Sequence, residues 1–345
     1  MNCMLDEIHE QPEVINRLVA KQRDTARSIA GAIRRCGCKF AVMAARGTSD
    51  NAAVFGKYLF EIVNGLPVAL AAPSVFTLYD ADLDLRDAVV FGISQSGQAT
   101  DVSEYLAKAR KRGAMTVGIT NAANSPICEV SDHVLFCEAG EEKSVAATKT
   151  YVATLGAMYL ISAALEGSDR LVDGLGNAAD AMESAFTAEG YIRSKVERYR
   201  YMQECFVVSR GINYATGFEI ALKTAETSYI AAKPYSAADL MHGPIAVVGE
   251  GFPCLLIAPT GKTFGAMADL ARKLSERRSE IIAISDSDDV LSLSAMAIRA
   301  PNGLDEIFTP IVYIALGQLF AYYLAVARGH DPDRPRGLSK VTLTR

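Results

Sequence analysis

The chain has 345 residues, more than one hydrophobic core usually organises, so two domains are the starting expectation. Half of the residues are apolar and 22% are charged, a balance that excludes a disordered chain. Lys and Arg number 35 against 40 Asp and Glu, a net charge of −5, which excludes a general basic field for nucleic acid; any anionic ligand must be held locally.

Met1 to about Arg35 reads as helix, with Ile15, Leu18 and Val19 on one apolar face, and residues 1–36 are expected to form an N-terminal arm. Asp6, Glu7 and Glu10 stand where a secretory signal would need a basic start and an apolar run. The seven cysteines are odd in number and scattered, and Cys36-Gly37-Cys38 lacks the gap of a redox or zinc pair. A cytoplasmic protein without catalytic metal or cofactor is expected.

Short apolar runs follow at Phe40 to Ala45, Ala88 to Ile93, Met115 to Ile119 and His133 to Phe136, with segments of helix length between them. That alternation predicts an α/β fold whose parallel sheet is covered on both faces. Three polar turns sit at strand ends or helix starts: Gly47-Thr48-Ser49, Ser94 to Thr100, and Ser144 to Thr148. Any one Ser/Thr cluster is ordinary helix capping, but three at one sheet edge point to an anion such as phosphate, because helix N-terminal amides and hydroxyls are donors without competing charge.

The pattern returns downstream. Arg210-Gly211 follows an apolar run 164 residues after Arg46-Gly47, and Thr260-Gly261 follows another 164 residues after Ser96-Gly97. Two landmarks at one offset predict a duplication, with domains at 37–190 and 191–330. The second copy has Pro259 where the first has Gln95, which removes a backbone donor, and Leu256 breaks the glycine spacing of a nucleotide P-loop. Phosphate binding is therefore expected in the first copy alone.

Glu219, Lys223 and Glu226 share one face of a predicted helix among apolar neighbours, so a carboxylate there is expected to line a cleft and move a proton. His242 lies in a Gly- and Pro-shaped loop, Asp239 to Pro244. Ile311 to Ala327 falls short of the roughly 18–20 residues that span a bilayer and reads as a buried helix, so no membrane is expected. The tail, 331–345, interleaves Arg334, Arg336, Lys340 and Arg345 with Leu338, Val341 and Leu343, which predicts that it packs back and brings the Lys340 amine to a carbonyl.

In order, Gly47-Thr48-Ser49, Ser94-Gln95-Ser96-Gly97, Ser144 to Lys149, Ala221-Leu222-Lys223 with Glu226 to Tyr229, His242-Gly243-Pro244 and Pro335 to Lys340 resemble the SIS phosphosugar isomerases. The likeness is to the isomerase half of glutamine:fructose-6-phosphate aminotransferase and to SIS-type glucosamine-6-phosphate deaminases, from Phe40 to Arg345. It implies two tandem SIS domains, each a flavodoxin-like three-layer sandwich of helices around a parallel sheet. It further implies that Ser49, Ser94, Gln95 and Ser96 hold a sugar phosphate, with Val145 near the sugar, and that Thr48, Thr100 and Ala146 join them in binding the substrate. Glu226 would move the proton between C1 and C2 with Lys223 assisting, His242 would open the ring from the partner subunit of a homodimer, and Lys340 would form an imine with the ketose. Ala99 departs from the family's threonine. About forty residues precede the first strand, so no glutaminase is expected, and the resemblance then implies conversion of glucosamine 6-phosphate to fructose 6-phosphate and ammonia. Isomerisation or deglycation of another phosphosugar is the alternative, and a non-catalytic sugar-phosphate sensor is a third reading.

Overall fold

A computed structural model describes residues 3–340; the tail's Val341, Leu343 and Arg345 lie outside the described residues, as do Met1 and Asn2. Two compact units make up the chain, each discontinuous in sequence. The first comprises Glu13–Glu142, Lys149–Gly176 and the chain from Ser339; the second comprises the chain up to Pro12, Lys143–Thr148 and Asn177–Leu338.

Where one helix is predicted at the start there are two, α1 (Cys3–His9) and α2 (Gln11–Cys36). Pro12 has no N–H, and its ring crowds the carbonyl four residues back, so the helix restarts instead of running through Glu10. The first unit continues with β1 (Phe40–Ala44), α3 (Thr48–Asn64), β2 (Val68–Leu70), α4 (Ser74–Thr77), β3 (Ala88–Ile93) and α5 (Thr100–Lys111). After these come β4 (Met115–Thr120), α6 (Pro126–Val130), β5 (His133–Phe136), α7 (Lys149–Glu166) and α8 (Arg170–Ala185), whose residues from Asn177 belong to the second unit.

The sheet is parallel throughout, in the order β2-β1-β3-β4-β5. Every residue of β3 and β4 is buried, which is why these strands read as unbroken apolar runs without alternation. Ile15 and Leu18 of α2 are fully buried against α7: a Cβ on Gly156 would lie 3.0 Å from Ile15 and 2.6 Å from Leu18. The chain leaves β1 for β2 on one side and returns to β3 on the other, so strand order reverses between β1 and β3, the edge where open α/β sheets take their ligands.

The second unit repeats the plan with α9 (Glu189–Lys195), β6 (Glu204–Ser209), α10 (Tyr214–Ser228), β7 (Ala231–Ser236), α11 (Ala237–Met241) and β8 (Pro253–Ala258). Then follow α12 (Phe264–Glu276), β9 (Glu280–Ser285), α13 (Asp288–Leu291), β10 (Met296–Arg299) and α14 (Thr309–Ala327). Its parallel sheet runs β7-β6-β8-β9-β10, the same order as the first. Two α/β units of one topology are thus present, as the repeat predicts.

With its preceding turn, α14 extends over Glu306–Ala327, longer than the apolar run, and is by length and composition long enough to cross a membrane; 89% of its most apolar window is buried within the protein. It packs on α10, where Gly317 lets the helices touch: a Cβ there would sit 2.2 Å from Ile220 Cδ1 and 2.3 Å from Cγ1. Gly317→Ala should therefore destabilise the protein by about 1–3 kcal/mol through overpacking, with most of the loss restored in an Ile220→Ala background. Urea denaturation of the single and double variants checks this, and equal losses in both backgrounds would contradict the contact.

Candidate active site

In the first unit the two turns at the switch point are Gly47-Thr48-Ser49, after β1, and Ser94 to Ala99, between β3 and α5. The second turn is tightly built. Ser94 N–H donates to the Ile119 carbonyl at 3.1 Å, Gly97 N–H to the Ser94 carbonyl at 3.1 Å, and the Ser96 hydroxyl accepts from Gln98 N–H at 3.3 Å. The amides of Gln95, Ser96 and Thr100 are left without an acceptor among the described residues, beside the hydroxyls of Ser94, Ser96 and Thr100. Gly97 has a φ of 65°, and a Cβ there would come within 2.1 Å of the Ser125 hydroxyl, so glycine is required on both counts. Ala99 is the N-cap of α5 and offers no side-chain cap.

Arg46 joins the turns. Its Nε lies 2.5 Å from Asp101, a carboxylate with 1% exposure near the start of α5. Burial raises the Asp50 pKa above the usual carboxylate range, with Arg46 opposing the rise. The sequence marks Arg46 only as a landmark of the repeat and has no signal for its pairing with Asp101, 55 positions away. Lys340 also belongs to this unit. Its ammonium lies 2.7 Å from Glu142, a buried carboxylate that accepts from the Thr150 N–H at 3.1 Å and hydroxyl at 2.8 Å at the start of α7. Glu142 is a further residue the sequence reading did not single out.

In the second unit α10 carries Glu219, Lys223 and Glu226 along one face. Lys223 is 1% exposed and stands between two carboxylates, 2.5 Å from Glu226 and 3.5 Å from Glu219; Glu219 is fully buried, whereas Glu226 is 24% exposed. A lysine fixed from behind thus holds one carboxylate whose other edge is open, an arrangement suited to passing a proton between neighbouring carbons. Tyr229, in left-handed conformation, caps the same helix and takes the tail: its hydroxyl accepts from Arg336 N–H at 2.7 Å, and the Arg336 guanidinium lies 4.2 Å from its ring centre. Within this unit the described tail packs back through Asp333 and Arg336, whereas Leu338 is 46% exposed.

Val145 and Ala146 lie in this unit on the strap Lys143–Thr148, where Val145 N–H donates to the Asp333 carbonyl at 3.2 Å. His242 follows α11 and is exposed, ahead of Gly243 at a φ of 138°. The structure therefore groups Thr48, Ser49, Ser94, Gln95, Ser96, Thr100 and Lys340 in one unit, and Val145, Ala146, Lys223, Glu226 and His242 in the other.

The second copy of this turn is filled from within. Glu306 accepts from the Lys262 N–H at 2.5 Å, the Thr263 N–H at 3.3 Å and the Thr263 hydroxyl at 2.5 Å. Asp286 accepts from the Thr260 N–H at 2.8 Å and from its hydroxyl. Two carboxylates thus stand where an anion would sit, a stronger reason than Pro259 for the difference between the copies.

The SIS domain family matches residues 37–164 and 202–328. A glutamine–fructose-6-phosphate aminotransferase (isomerizing) from Thermococcus kodakarensis is 35% identical over 347 residues, covering 98% of this chain and 57% of that protein. The chain thus spans a little over half the length of the curated relatives it matches. The C-terminal domain of glucosamine-fructose-6-phosphate aminotransferase from Francisella tularensis superposes with a TM-score of 0.85 at 26% identity, over 96% of this chain and 98% of that one. A candidate phosphosugar isomerase from Silicibacter pomeroyi DSS-3 gives a TM-score of 0.86 at 31% identity, over 96% and 100%.

Lys223→Met would leave Glu219 buried without that counter-charge, and should lower the unfolding free energy by about 3–5 kcal/mol. Urea denaturation measures it; the Glu219→Leu/Lys223→Met double variant should recover most of the loss, and a single variant of wild-type stability would contradict the pairing.

Proposed function

This chain belongs to the SIS domain family in both of its halves, and we propose that it is an amino-sugar phosphate isomerase and deaminase, converting glucosamine 6-phosphate and water to fructose 6-phosphate and ammonia. The observation that carries the reading is the Glu226 carboxylate, open on one edge and held at 2.5 Å by the buried Lys223. Family membership and the amides of Gln95, Ser96 and Thr100, which have no acceptor among the described residues, support a phosphorylated sugar as its substrate.

On this reading Thr48, Ser49, Ser94, Gln95, Ser96 and Thr100 hold the phosphate, and Val145 and Ala146 meet the sugar. His242 gives a proton to the ring oxygen as the C1 hydroxyl loses its own, which opens the ring to the aldehyde. Glu226 takes the proton from C2 and returns it to C1, so that the 2-amino aldehyde passes through an enolamine to the ketose 2-imine. Lys340 then displaces ammonia from C2, and water hydrolyses the resulting lysine imine to release fructose 6-phosphate and the free amine. Glu142, 2.7 Å from Lys340, is placed to accept the ammonium proton before that attack.

His242 is exposed, which supports its acting on the sugar held by a second copy of the chain, with a homodimer as the working unit. Seven free cysteines, three of them buried, accord with a reducing cytoplasm.

Incubation with glucosamine 6-phosphate should release ammonia and fructose 6-phosphate in equal amounts, and Glu226→Gln should lower turnover by about a hundredfold or more while preserving sugar-phosphate binding. Isomerisation without ammonia would assign another phosphosugar reaction, and binding with no turnover of a substrate panel would assign a sensor. Mixing inactive Glu226→Gln and His242→Ala proteins should restore about a quarter of the activity, because half the dimers would then hold one intact site. No recovery after subunit exchange would place His242 in its own chain's site.

A further inference from the structure

Within the second unit the strap Lys143–Thr148 has neither helix nor strand to satisfy its amides, and α1 supplies the acceptor. Glu7, 4% exposed, takes the Lys143 N–H and the Ser144 hydroxyl on its two carboxylate oxygens, and the Ser144 N–H lies 3.4 and 3.3 Å from them. The Ser144 hydroxyl is also 2.9 Å from the Ala146 carbonyl. The next amide, Val145 N–H, goes to the Asp333 carbonyl, and the Asp333 carboxylate accepts from the N–H groups of Cys3 at 2.9 Å and Met4 at 2.7 Å. Helix α1, strap and tail segment therefore close a ring of hydrogen bonds through Glu7 and Asp333.

We propose that Glu7 is a positioning residue for sugar recognition, fixing the strap in the conformation that presents Val145 and Ala146 to the substrate. The inference rests on the proposed function. Its physical basis is that a carboxylate only accepts, so that three donors converge on it without conflict, whereas an amide of the same size would turn its own N–H group against one of them. Burial sharpens the requirement, since an unpaired strap donor there would have no water to replace Glu7.

The test compares wild type, Glu7→Gln, Ser144→Ala and the double variant, with Glu13→Gln as a control whose carboxylate is 79% exposed. The KM for glucosamine 6-phosphate should rise about tenfold in Glu7→Gln, while the inhibition constant of inorganic phosphate, which reads the cradle of the first unit, stays within about twofold. Backbone amides of Lys143 and Ser144 should exchange with solvent about tenfold faster or more, and the double variant should lose less than the product of the single effects. Wild-type KM and exchange in folded Glu7→Gln would overturn the inference, as would an equal rise in KM and in the phosphate constant, which marks general loosening. Should Glu7→Gln fail to fold, Ser144→Ala decides: faster strap exchange with a raised KM supports the inference, and unchanged values overturn it. A wild-type protein that neither binds nor turns over phosphosugars removes the proposed function and this inference together. Wild-type turnover with an unaltered Glu7→Gln removes this inference alone.

Discussion

A backbone N–H at the start of a helix has no acceptor in its own turn, and a parallel sheet gathers several such starts along one edge. Much of this molecule's polar structure answers that demand with carboxylates. Glu142 meets the first turn of α7, Asp333 meets α1, Glu306 meets the loop before α12, and Glu7 meets a strap that has no regular structure at all. At Gln95, Ser96 and Thr100 the same demand meets no acceptor among the described residues, and an anion with several acceptor oxygens has the chemistry to meet it.

The elements that place this edge were legible in the sequence because burial writes itself into residue type. Both faces of β3 and β4 are covered, so their sequences are continuous apolar runs, and Gly97 announces itself because its φ and the nearby Ser125 admit no side chain. The repeat was legible for the same reason, since the glycine landmarks follow corresponding strands in two sheets of one order. Lys223 and Glu226 could be read from helical spacing alone, as local neighbours on one face of α10.

What the sequence concealed are acceptors whose donors are backbone amides. Glu7 and Ser144 lie 137 positions apart, and an amide of Lys143 carries no signature in the identity of that residue. Arg46 and Asp101 are a similar case, a pair made only when two loops come to the same sheet edge. The tail shows the limit in another form: its charges and apolar residues suggest docking, and among its described residues Arg336 lies on Tyr229 while Leu338 is exposed. Composition carries no signal for which atoms make such a contact.

Glu306 reaches its loop by covalent attachment and not by encounter. A tethered group acts at an effective concentration of about millimolar or above, so its occupancy does not follow the supply of any metabolite. The two copies of the turn therefore differ in where their acceptors come from. One has amides at Gln95, Ser96 and Thr100 without an acceptor among the described residues, and the other carries its acceptors on its own side chains, Glu306 and Asp286. The second copy therefore holds the loop before α12 in one shape whatever solutes surround it.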